Sequence, residues 1–104
     1  MKPQIKLAAR ERVAQILAAA IALCRSDTVY SRLTRDEVAK KAGIPPTLIS
    51  YHLGTMPEFR RHIMREAVRT ECLPVIAQGL AARDRHAFKA SPELQQRALQ
   101  SLAG

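Results

Sequence analysis

A chain of 104 residues with 47% apolar and 25% charged side chains has room for one modest core, and these proportions argue against both a disordered polymer and a membrane-spanning bundle. The net charge is +8, and residues 1–69 hold 13 Lys/Arg against 6 Asp/Glu while residues 70–104 hold 4 against 3, a localised positive field that suits a polyanionic partner. The longest apolar stretch, Ile16 to Cys24, is far short of a bilayer span and the opening Met1 to Lys6 lacks the apolar region of an export signal, so a cytoplasmic protein with no membrane partner is expected.

Val13, Ile16, Leu17, Ala20, Leu23 and Cys24 recur at intervals of three and four and predict a first helix over roughly Lys6 to Arg25, with Arg12, Gln15 and Ala19 on its opposite face. Ser26 to Arg32 is polar with β-branched residues and reads as a loop. Thr34-Arg35-Asp36-Glu37 is a capping box that starts a second helix with Val38, Ala39 and Ala42 on its apolar side, and Gly43 stops it. A short third helix begins at Pro45 or Pro46 and runs to about Leu53. Thr55-Met56-Pro57-Glu58 is a second capping box, opening a longer helix with Phe59, Ile63, Ala67 and Thr70 inward and Arg60, Arg61, Arg65 and Arg69 on its other sides. Pro74 interrupts or restarts the helical pattern, which continues to about Arg85 through Leu73, Ile76 and Leu80, with Gly79 a weak point. Ser91-Pro92-Glu93 caps a final amphipathic helix carrying Leu94, Ala98, Leu99 and Leu102. No alternating strand pattern occurs, and the fold class is all-α: a helical bundle in which residues 1–70 form a helix-turn-helix region and residues 71–104 a short helical hairpin, together one compact domain.

The informative unit is Thr34 to Leu53. A small Ala39 at the helix crossing, Gly43 at the bend, and Ile44 and Ile49 filling the angle define a helix-turn-helix. With Ile49 and Leu53 inward, at about 100° per residue Thr47 and Tyr51 point away and Leu48 and Ser50 flank them, which makes these four the candidates for base edges. No Lys or Arg occurs between Gly43 and Arg60, so attraction to the DNA backbone is expected from Lys2, Lys6 and Arg10, from Thr34 and Arg35 at the start of the second helix, from Lys40 and Lys41 near its end, and from the helix terminus at Thr55.

These residues resemble the DNA-binding half of the TetR family of bacterial regulators. The family's first-helix pattern is matched by Arg12 followed by Ile16-Leu17-Ala18-Ala19-Ala20. Its second-helix pattern is matched by Thr34 through Val38-Ala39 to Ala42-Gly43-Ile44, and its recognition helix by Thr47-Leu48-Ile49-Ser50-Tyr51-His52-Leu53. The likeness covers about residues 10 to 68. Ser50 and Met56 stand where the family usually has a tyrosine and a lysine, and the long ligand-binding region that follows in the family has no counterpart in the roughly 35 remaining residues. The resemblance implies a sequence-specific regulator of transcription, and it places His52 at the DNA, whereas geometry alone leaves it at the edge of the buried face.

The expected activity is therefore that of a repressor bound to a palindromic operator on double-stranded DNA. A homodimer is expected because one helix-turn-helix reads too few base pairs for selectivity, and Leu73, Ile76, Leu80, Leu94, Leu99 and Leu102 exceed what two short helices need for each other. The alternative is that these helices fold back over Phe59 and Ile63 to complete one chain's core. The rival function is a protein-binding adaptor or antirepressor built on the same scaffold. No cofactor and no small-molecule inducer is expected, since so few residues after the DNA-binding half cannot enclose a ligand cavity. Glu58, His62 and Glu66 share a helix face but lack a fourth metal ligand, Cys24 and Cys72 show no metal or redox spacing, and no catalytic motif appears, so no metal site and no enzyme are expected.

Overall fold

The stripe of Ile16, Leu17, Ala20 and Cys24 dictates the first element, because side chains three and four positions apart share one face of a helix. In a computed structural model, which describes residues 8–26 and 28–103, this element is α1 (Ala9–Ser26) with those four side chains buried. It is followed by α2 (Arg35–Ala42), α3 (Pro46–Leu53), α4 (Met56–Arg69), α5 (Leu73–Ala81) and α6 (Pro92–Ala103), with single 3-10 turns at Tyr30–Arg32 and Ala87–Lys89. The fold is an all-α helical bundle. None of the described helices is long and apolar enough to cross a membrane. Val13 and Leu23 lie half-buried at the edge of the α1 stripe, whereas Ala19, expected on the opposite face, is buried.

The helix ends obey local chemistry. Both predicted capping boxes form, at Thr34 with Glu37 and at Thr55 with Glu58. Gly43 adopts φ +72°, which lets its N–H return to the Lys40 carbonyl while the Ile44 N–H reaches the Ala39 carbonyl at 3.0 Å, the paired bonds of a left-handed helix end. The same closure ends α4 and α5 without glycine. Glu71 (φ +54°) allows Cys72 N–H to donate to the Ala67 carbonyl, and Arg83 (φ +57°) allows Asp84 N–H to donate to the Gly79 carbonyl, each at 2.8 Å. A side chain in this conformation costs roughly 1 kcal/mol. Glu71 offsets part of that by pairing with Arg97 of α6 at 3.0 Å. The left-handed turn at Arg83 also explains why α5 stops at Ala81 rather than near Arg85.

The stretch that reads as a polar loop hides a junction between three segments. Tyr30 is 1% exposed, and its hydroxyl donates to Asp84 Oδ2 at 2.6 Å while lying 3.0 Å from the Arg60 carbonyl oxygen. Its backbone N–H donates to Gln78 Oε1 at 2.6 Å, and the Gln78 amide donates in turn to the Cys24 carbonyl at 2.7 Å. One aromatic residue thus joins the end of α1, the body of α4 and the far side of α5. Burial, then the bond to Asp84, hold the Tyr30 phenol well above its ordinary pKa. Burial likewise raises the Cys24 thiol to about 11 and keeps it protonated.

Helix α5 lies at the centre, with Val75, Ile76, Ala77, Gly79 and Leu80 all buried, because α1, α4 and α6 all pack on it. The buried side chains of α4 are Phe59, Ile63, Met64 and Ala67, while Thr70, expected inward, is exposed. This packing corrects the expected dimer surface. Ile76, Leu80 and Leu94 belong to the core of a single chain and Leu73 is half-buried, which leaves Leu99 (52% exposed) and Leu102 (63% exposed) of the six for a partner.

At Gly79 the approach of neighbours is closest: a Cβ there would overlap the Met64 methyl and stand 2.9 Å from Ala87 Cβ. Gly79→Ala is therefore expected to lower stability by about 1–3 kcal/mol despite its better helix propensity, as read from urea unfolding. Tyr30→Phe should cost about 1–3 kcal/mol in the same measurement, since it leaves Asp84 Oδ2 without its donor. Because the folded phenol is raised above its ordinary 10.0, the unfolded chain loses a proton first. Native stability should therefore fall as pH rises above about 10, and Tyr30→Phe should remove that component.

Candidate nucleic-acid interface

Two short helices hold a fixed angle only when their crossing is filled and their ends are satisfied. In the α2–α3 unit Val38, Ala39, Ile49 and Leu53 are buried and Ile44 is half-buried, as the sequence predicts for a helix-turn-helix. A contact the sequence does not reveal supports it from outside. Gln15, expected on the solvent face of α1, donates its amide to the Ala42 carbonyl at the end of α2 at 3.2 Å and accepts from Arg12 at 2.7 Å. The orientation of α2 is thereby tied to α1.

With Ile49 and Leu53 locked inward, α3 presents Thr47, Ser50 and Tyr51 to solvent, and Tyr51 is 81% exposed. Leu48 and His52 are half-buried on the flanks. The Tyr51 and His52 rings meet edge to face with centroids 5.0 Å apart, which restrains the two side chains against each other. The five residues expected at base edges are thus on one short helix, three facing out and two at its margins.

The residues expected at the backbone are more scattered. Lys2 and Lys6 lie outside the described residues. Arg10 is exposed in the first turn of α1, and Arg35 is half-buried at the start of α2. Lys40 and Lys41 are exposed in the last turn of α2, where a cation complements the helix dipole, and they share a shallow groove with Leu23, Thr28 and Glu37.

At Thr34 and Thr55 the structure works against the expectation of a phosphate contact. Glu37 Oε1 accepts the Thr34 N–H at 3.0 Å and its hydroxyl at 2.9 Å, and Glu58 Oε1 accepts the Thr55 N–H at 3.1 Å and its hydroxyl at 2.9 Å. Those bonds hold both carboxylates below their ordinary pKa, the Thr34 hydroxyl leading at Glu37 and the Thr55 backbone N–H at Glu58. An anion approaching either helix start meets a negative charge already in place. The motif that announces a helix terminus in the sequence is the same motif that closes it to phosphate.

Glu58 is thereby committed to its cap, and Glu66 is bound by Arg69 through two bonds of 2.6 and 2.9 Å, so the acidic members of the Glu58, His62, Glu66 face have other partners. Among the described residues no group of three His, Cys, Asp or Glu is placed to hold a metal. Cys24 and Cys72 are free thiols, buried and half-buried. Compared with known proteins, the chain matches no family model, no curated protein and no solved structure.

Proposed function

We propose that the chain is a sequence-specific double-stranded DNA-binding regulator of the TetR-like kind, a repressor that reads a palindromic operator with α3 as a homodimer. The observation that carries this reading is the exposed row of Thr47, Ser50 and Tyr51 on a helix whose other face is locked by Ile49 and Leu53. A large aromatic side chain held out in water on a rigid helix has no use in the chain's own core. Thr47 and Tyr51 offer hydroxyl groups and apolar surface to base edges, while Lys40, Lys41 and Arg10 supply charge for phosphates. Pairing of two copies falls to the exposed Leu99 and Leu102 of α6, and sets two α3 helices on successive major grooves about 34 Å apart.

Tyr51→Ala and Thr47→Ala should each weaken specific binding by roughly 1–3 kcal/mol with little effect on random DNA, in gel shifts against DNA selected from a random pool. Lys40→Ala with Lys41→Ala should weaken binding to every sequence and flatten its salt dependence. Absence of retention even at low salt would instead favour the adaptor reading, for which the uncharged surface of α3 is suited. For the dimer, Leu99→Ser with Leu102→Ser should shift sedimentation at micromolar concentration from two chains to one while the helical circular dichroism stays that of the parent. A parent chain that sediments as one copy overturns the dimer.

A further inference from the structure

The three arginines at positions 61, 65 and 69 lie four residues apart and so line one side of α4 for about 12 Å. Like charges at this spacing repel, and a helix carries them at a cost unless something negative meets them. Across from them runs the segment that links α5 to α6. His86 and Lys89 face the arginines over an open groove of about 560 Å³, in which Val68 is the one apolar wall. A second groove, lined by Arg60, Arg61, Arg85 and His86 along with Glu58 and Asp84, continues it toward the start of α4.

Among the described residues, Arg69 is the one cation of the main groove in a salt bridge, with Glu66. Arg61, Arg65 and Lys89 are exposed. The position of His86 is set by the fold, since its N–H donates to Asp84 Oδ1 at 2.8 Å while Asp84 Oδ2 is held by Tyr30. The positive field is felt locally: after partial burial, Lys89 is the largest cause holding the His86 imidazole below its ordinary pKa, with Arg61 and Arg85 adding to it against Asp84.

We propose that this groove binds an oligophosphate chain, held by Arg61, Arg65, His86 and Lys89, with Arg69, whose fork Glu66 occupies, at its far end. Successive phosphates place negative charges a few ångströms apart, which matches a row of guanidinium forks one helical turn apart better than a single compact anion does. The volume falls within the small-ligand range of roughly 300 to 1,000 Å³. The groove is walled on two sides by α4 and the 84–89 segment, and it extends along α4 away from α3, so it is distinct from the surface of Thr47 and Tyr51. The expectation of no small-molecule inducer rests on enclosure by the C-terminal residues alone, whereas here α4 supplies one of the walls. The inference stands apart from the DNA-binding reading.

Calorimetric titration of the full chain at near-physiological salt tests it, with inorganic tripolyphosphate, adenosine triphosphate and sulfate as probes. Tripolyphosphate should saturate one site per chain at least about tenfold more tightly than sulfate. Arg61→Gln with Lys89→Gln, both at exposed positions, should weaken it about tenfold or more at unchanged melting temperature, while the equal charge loss of Lys40→Gln with Lys41→Gln should leave it within about twofold. Equal affinity for the two phosphate probes assigns recognition to the phosphate chain alone, and tighter binding of the nucleotide adds its base or ribose; either outcome supports the site. Binding no tighter than sulfate, or equal weakening by the two double variants, reduces the effect to diffuse positive charge and overturns the proposal. Loss of duplex retention in the groove variant, with no saturable tripolyphosphate binding to the parent chain, assigns the groove to nucleic acid and overturns it as well.

Discussion

The Tyr30 phenol is the constraint on which the other parts depend. Its bond to Asp84 and its close approach to the Arg60 carbonyl join segments far apart in the sequence, and the phenol itself is buried. In such surroundings a donor or acceptor left alone costs more than a satisfied pair gains, so the arrangement is close to all or none. Through Gln78 the same residue fixes the end of α1, and through Asp84 it fixes the backbone at His86. The helix-turn-helix and the cationic groove are therefore referred to one frame, although neither contains Tyr30.

Two constraints shape the surface. The first is apolar: α5 is covered by its neighbours and uses Ile76 and Leu80 for the chain's own core, and α6 commits Leu94 and Ala98 in the same way. Of the leucines of these two helices, Leu99 and Leu102 remain exposed. The second is electrostatic. Two concentrations of positive charge stand out among the described residues, Lys40 and Lys41 at the end of α2, and Arg61, Arg65, Arg69 and Lys89 along α4 and the segment facing it. The two groups have different shapes, one a pair of lysines on an open flank and the other a row inside a groove, and so suit anions of different form.

Features set by a few consecutive residues are legible in the amino-acid sequence. The capping boxes at Thr34 and Thr55, the bend at Gly43 and the inward pair Ile49 and Leu53 all follow from local spacing, and the outward row on α3 follows from them by helical geometry. Contacts between distant segments are not legible in this way. Tyr30 sits among polar residues that read as a loop, and Gln78 and Asp84, which satisfy it, carry no motif. Gln15 reads as a solvent residue because a helical stripe says nothing about what packs on its reverse. The leucines of the last two helices are too many for a two-helix hairpin, and α5 packs on α4, as the fold-back alternative has it, and on α1, which spacing does not identify as a neighbour. The arginines of α4 are visible as a crowd, while the facing wall of the groove, built from the turn at Lys89, is not. Glu71 and Arg83 adopt left-handed conformations that composition assigns to glycine, so the ends of α4 and α5 are blurred in the sequence.

The span of the Tyr30 network along the chain also bears on synthesis. The helix-turn-helix leaves the ribosome before Gln78 and Asp84, and until they follow, the Tyr30 N–H lacks Gln78, its hydroxyl lacks Asp84 and the end of α1 lacks the Gln78 amide. At about 5–20 residues per second the interval is on the order of several seconds, long compared with the microseconds in which a short helix forms. A nascent chain therefore passes that interval with the end of α1 lacking its Gln78 tie, and the Tyr30 junction closes only when residue 84 arrives.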